Sequence, residues 1–170
     1  MKLKNIFILF ALALGTCAFV ACGDEEQDPS TQGENAAAKA IVGTYEGWTH
    51  LESTFINKNY TGDTFALALA QDGTLTATFI NQVWGTATIK GIRALEIPNE
   101  GYSFTGGEGS FVMNDVRQGG TQEFPCLVGS GTVSSDLKTL QVVIIANMTV
   151  AGGHGEMTFL FQTGEMPTAE

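Results

Sequence analysis

The chain has 170 residues, and 18 acidic side chains against eight basic ones give it a formal charge of −10 at pH 7. Nucleic acid and anionic lipid are both bound through Lys and Arg clusters, so this balance argues against either partner. Two histidines and three cysteines leave little material for a metal centre or a nucleophilic triad.

Lys2 and Lys4 open the chain, Ile6 to Leu14 form a short apolar run, and the small residue Ala21 precedes Cys22. That is the layout of a secretory signal over residues 1–21. The apolar stretch ending at Ala21 is shorter than the roughly 20 residues of a spanning helix and is broken by Gly15, Thr16 and Cys17. Phe19-Val20-Ala21-Cys22 resembles the bacterial lipobox, which implies lipidation of Cys22 and a membrane anchor at the new N-terminus. Gly23-Asp24-Glu25-Glu26-Gln27-Asp28 resembles the surface-export signal of lipoproteins from Bacteroidetes-type bacteria. The expected location is the cell envelope, lipid-anchored to the outer membrane and surface-exposed, with a periplasm-facing tether as the alternative. Without the signal, six basic residues face 18 acidic ones, a formal charge of −12. Residues 22–39 lack large apolar side chains and read as a flexible acidic tether.

Residues 40–164 alternate apolar and polar side chains with period two, and Gly, Asn and Asp punctuate the alternation, so one all-β domain is expected there. Residues 165–170 are a tail. Asn35 to Ile41 is Ala-rich enough for one helical turn. Thr64–Ala70 and Leu75–Ile80 flank Asp72-Gly73, the strongest short-range hairpin signal. Asn81-Gln82 turns the chain into a third strand over Trp84–Ile89. Tyr102–Phe104 and Gly109–Met113 are short strands separated by a glycine-rich turn or bulge. Phe124–Val133, Leu140–Val150 and Met157–Phe161 follow, with Ser134-Ser135-Asp136 and Gly152-Gly153-His154-Gly155 as turns. The β-branched Val142, Val143, Ile144 and Ile145 make the run Leu140–Val150 a strand rather than a helix. Successive hairpins in order predict an antiparallel up-and-down barrel of about eight strands, and closure removes exposed edges. An immunoglobulin-like sandwich is the alternative.

Ile41-Val42-Gly43-Thr44-Tyr45-Glu46-Gly47 opens the domain and Gly155-Glu156-Met157-Thr158-Phe159 closes it. Together with the lipobox and the Asp-Gly hairpin, these resemble the calycin-like (lipocalin-related) barrel lipoproteins of Bacteroidetes. The resemblance implies the same barrel and little about its cargo. Tyr45 stands where a lipocalin carries the Trp of Gly-x-Trp, and the last arginine, Arg117, is far from the final strand. The lipocalin ligand apparatus is therefore not carried over.

No catalytic residue, metal site or cofactor is predicted. Trp48, His50 and Glu52 share one strand face, read as outward, while Gly43, Tyr45, Gly47, Thr49 and Leu51 make the inner row. His154 lies in a glycine-rich turn. Cys126, in Phe124-Pro125-Cys126-Leu127, has the setting of an inert buried thiol. Phe65, Leu67, Leu69, Leu75, Phe79, Phe111, Met113, Leu140, Val142, Ile144, Met148, Met157, Phe159 and Phe161 are the expected inner layer, either a packed core or the wall of a ligand cage. Trp48, Tyr60, Trp84 and Tyr102 are the candidate ligand-binding residues, if they gather at one rim. The first functional expectation is a non-enzymatic binding module for a small apolar or glycan ligand. The alternative is a filled barrel that contacts a protein partner, or inhibits it, through loops 57–63 or 117–123.

Overall fold

Eight antiparallel strands follow one another in chain order and close into a barrel. They are β1 (Gly43–Glu52), β2 (Asn57–Leu69), β3 (Leu75–Asn81), β4 (Gly85–Ile97), β5 (Gly101–Asn114), β6 (Thr121–Ser134), β7 (Leu140–Asn147) and β8 (Glu156–Thr163). Closure is made by β8 pairing with β1, from Gly47 opposite Thr163 to Glu52 opposite Thr158. The computed structural model describes residues 36–114, 120–148 and 155–167. The expected signal peptide, Cys22 and the tether up to residue 35 lie outside the described residues, as do Arg117, His154 and residues 168–170.

The Asp-Gly hairpin forms as its chemistry dictates. Gly73 takes a φ of 83°, and the Asp72 carboxylate accepts the Thr74 N–H at 3.0 Å and its hydroxyl at 2.7 Å. Those two bonds hold the Asp72 carboxyl below its ordinary range.

Inward rows carry the core. Phe65, Phe79, Phe104, Phe111, Phe124, Phe159 and Phe161 are all buried, and ring contacts link all but Phe124 in series: Phe111 to Phe159 at 4.9 Å, Phe159 to Phe79 at 5.5 Å, Phe79 to Phe161 at 6.2 Å, Phe161 to Phe65 at 5.9 Å and Phe65 to Phe104 at 6.2 Å. Small residues sit beside large ones across the strands. Ala87 lies between Phe79 and Phe111, and Phe104 lies between Ala94 and Gly131. An eight-stranded barrel is just wide enough to be filled this way. Among the described residues the inward side chains form one hydrophobic core cluster.

Four details depart from the sequence reading. Leu69, expected inside, is 40% exposed at the end of β2. Residues 57–63, expected as a functional loop, are the first half of β2, and Thr121–Glu123 belong to β6. The strand reading stopped at Ile89, whereas β4 runs to Ile97, because Gly91 (φ 75°) shifts the register and moves the inward row from Ala87 and Ile89 to Ile92 and Ala94. Lastly, residues 36–39, assigned to the tether, join Ala40 in helix α1, the helical turn expected over Asn35 to Ile41. Ala37, Ala38 and Ile41 join the core cluster, and the Tyr45 hydroxyl donates to the Ile41 carbonyl at 3.0 Å. α1 thus closes the barrel end that also bears the β2–β3, β4–β5 and β6–β7 connections. The opposite end is the mouth.

Candidate functional site

Two connections at the mouth are built by side-chain hydrogen bonds. After β1, the Ser53 hydroxyl oxygen accepts the N–H groups of Phe55 (3.3 Å) and Ile56 (3.1 Å), and the Ser53 N–H donates to the Ile56 carbonyl at 2.8 Å. This tight turn leaves Phe55 72% exposed and sets Ile56 against the core. Between β3 and β4, Asn81 Oδ1 accepts the N–H groups of Val83 (3.1 Å) and Trp84 (2.8 Å), a turn of the kind Asn favours. Asn81 Nδ2 donates to Asp63 Oδ2 at 2.7 Å, and the Gln82 N–H donates to Asp63 Oδ1 at 3.2 Å. Asp63 and Asn81 are both buried. A carboxylate inside the barrel wall therefore holds the turn that presents Trp84. The Trp84 carbonyl in turn accepts the Asn114 N–H at 2.9 Å, tying the turn to β5.

These turns line an open pocket of about 170 Å³, walled mainly by Phe55, Ile56, Trp84, Met113, Met148 and Met157, with Ser53, Gly155 and Glu156 at its edge. Tyr60 meets Trp84 edge-on, with ring centroids 6.4 Å apart. Tyr60 also lies opposite Thr49 in the β1–β2 ladder. Two buried polar atoms in this region, Thr49 Oγ1 and Trp84 Nε1, have no hydrogen-bond partner among the described residues.

Of the four candidate residues, the structure brings together Tyr60 and Trp84. Trp48 lies opposite Thr61 and Gln162 on β1, in the row next to the inward Thr49. It is only 8% exposed but stands outside the core cluster. Tyr102 is at the closed end, in a separate groove with Ile97, Glu100 and Gln141. One aromatic rim of four is therefore not formed. His50 lies on the outer row, where its Nδ1 pairs with Asn59 Oδ1 at 2.7 Å. Cys126 is buried, and burial pushes its thiol up to about 12. Among the described residues no three His, Cys, Asp or Glu side chains gather as a metal ion requires.

Sequence reasoning gave no site role to Phe55, Ile56, Thr49, Asp63 or Asn81, although it placed Thr49 in the inner row of β1 and Asn81 in a turn. A signal for Asp63 was present: it is a lone carboxylate at the start of the inward row Asp63, Phe65, Leu67, where burial demands a dedicated partner. Nothing in the sequence pairs it with Asn81, 18 residues on.

No family model matches the chain, and no curated protein does either. Among solved structures it is similar to a Bacteroides fragilis NCTC 9343 protein that carries a provisional outer-membrane name, at a TM-score of 0.55 and 19% identity. The likeness covers 77% of this chain and 47% of that one, so this chain spans about half of that protein's length. At that identity the likeness is one of fold.

Proposed function

We propose that this is a lipid-tethered cell-envelope protein whose filled barrel is a rigid holder for the mouth pocket, and that the pocket binds a small, uncharged apolar molecule. The observation that carries this reading is the open pocket of about 170 Å³ walled by Ile56, Trp84 and three methionines. Ordinary ligand pockets run from about 300 to 1,000 Å³, while an apolar cavity of about 150 Å³ takes a benzene ring. The pocket thus suits one ring or a short chain. A glycan needs several converging polar groups, and Ser53 and Glu156 are the polar side chains in this wall. Methionines, unbranched and polarisable, adapt to varied apolar shapes.

The signal-like N-terminus, Cys22 and the name of the fold neighbour support the envelope. Side-chain polarity supports tethering over spanning. The inward rows carry phenylalanine, whereas Thr76, Thr78, Thr86, Thr88 and Lys90 stand on the outward rows of β3 and β4. A membrane-spanning barrel has the reverse pattern.

The test is a fluorescence titration of the Trp48→Phe variant, in which Trp84 is the remaining tryptophan. Toluene should shift its emission saturably, at one molecule per chain by native mass spectrometry. An emission unchanged up to the solubility of toluene rejects the pocket.

A second reading, contact with a protein partner, is favoured by Phe55 and Val83, which stand 72% and 50% exposed on neighbouring mouth turns. A photo-crosslinking residue at position 55 in intact source cells would give one discrete heavier band under that reading, and none under the first.

A further inference from the structure

We infer that the molecule seated in the mouth carries one uncharged oxygen acceptor beside its apolar body, and that the indole N–H of Trp84 receives it. This rests on the small-molecule reading of the mouth and names the ligand class. Trp84 lines the pocket, and its Nε1 is buried without a partner among the described residues. Buried N–H groups are nearly always paired, because leaving one unpaired costs more than a typical hydrogen bond gains. The rest of Trp84 is fully engaged: its N–H is held by Asn81 and its carbonyl by Asn114. The spare donor therefore belongs to a fixed turn, not to a loose one.

A second orphan lies in the adjoining layer. Thr49, fully buried, has a hydroxyl likewise unpartnered, and Tyr60 bridges the two residues, facing Thr49 across the ladder and Trp84 edge-on. The two residues with an unmet polar atom, Thr49 and Trp84, are thus both neighbours of Tyr60. The indole nitrogen touches no solvent, so an acceptor reaches it only as neighbours give way. Met113 and Met148, with three rotatable bonds each, are the lining groups able to do so.

Charge selects the kind of acceptor. Glu156 is in the wall, and buried Asp63 holds the turn behind Trp84. A carboxylate ligand would meet like charge, whereas a ketone, ester, amide or alcohol would not.

The experiment uses the ¹⁵N-labelled chain and follows the Trp84 indole resonance, identified with Trp48→Phe, against toluene, acetophenone and benzoate. Acetophenone should move the indole proton downfield, and its preference over toluene should drop about five- to tenfold in Trp84→Phe. Benzoate should leave the spectrum unchanged. If toluene saturates the pocket while acetophenone leaves the indole proton in place, the acceptor inference fails and the pocket stands. Binding of benzoate as tight as that of acetophenone overturns the uncharged class. If neither toluene nor acetophenone binds, the pocket itself is wrong and the inference falls with it.

Discussion

Gly131 on β6 stands directly opposite Phe104 on β5, and its missing side chain is what lets the Phe104 ring lie inside the barrel. A Cβ at Gly131 would sit 2.1 Å from the far carbon of that ring. The ring continues the aromatic core, stacked on Phe65 at 6.2 Å. Gly131→Ala is therefore an overpacking change, expected to cost about 1–3 kcal/mol. Urea denaturation should show a lower midpoint with an unchanged slope. Adding Phe104→Leu should recover part of the loss, since the shorter side chain vacates the clash. Additive costs in the double variant would show that the two residues do not share that space.

The Asp63–Asn81 pair should matter as much as any aromatic contact, although both side chains are polar. Asn81 serves three partners at once: it donates to Asp63 and accepts from Val83 and Trp84. Asn81→Leu leaves Asp63 Oδ2 and two N–H groups unserved, at a cost of about 3 kcal/mol or more. Asp63→Asn keeps an acceptor for the Gln82 N–H but sets its NH2 against that of Asn81, and should cost about 1–2 kcal/mol, less than Asn81→Leu. In Asn81→Leu the native emission of Trp84 should also move toward that of exposed tryptophan, because its turn is no longer pinned. Equal stabilities for the two variants would mean that the turn is held by something else.

The barrel itself was legible in the sequence because its cause is local. Period-two alternation, the Asp72-Gly73 turn and β-branched runs each act within a few residues. The inner row of β1 followed from the same rule, and Thr49 and Leu51 are indeed buried. What alternation could not reveal are the phase changes. Gly62 and Gly91 each introduce a register shift, so Tyr60 and Asp63 share the interior although they differ by an odd count, as do Ile89 and Ile92. The mouth was hidden for a related reason. Ile56, Trp84, Met113, Met148 and Met157 come from four turns and strand ends far apart in the chain, and closure alone brings them to one rim. Trp48 and Tyr102 looked equivalent to Trp84 in composition, and the barrel sends them elsewhere.

Cys126 gives a pH dependence whose direction is fixed by burial. Its thiol is raised from 9.0 to about 12 in the folded chain, so above pH 9 the unfolded state ionises and the folded state does not. The stabilising contribution is complete below pH 9 and is lost progressively as pH rises from 9 to about 12. Tyr45, also raised by burial, adds the same sign from its ordinary value of 10.0 upward. Unfolding free energies measured across this range should fall, and less steeply in Cys126→Ala. At pH 8 a thiol reagent should label Cys126 slowly in the native protein and at once in urea. Fast native labelling would place the thiol at the surface and remove the basis for the alkaline effect.

The start of the folded part can be tested by truncation, because α1 contributes core rather than tether. Ala37, Ala38 and Ile41 are buried in the barrel's own cluster, and the Ile41 carbonyl is the acceptor for Tyr45. A chain lacking residues 1–33 should keep the urea midpoint of the longer protein. One lacking residues 1–41 should lose at least the about 2–5 kcal/mol expected for emptying a buried isoleucine site, and Ile41→Ala in the full chain should show that loss on its own. If both truncations unfold alike, α1 is dispensable and the barrel end is closed by its strands. If α1 is required, the chain enters the barrel at its closed end.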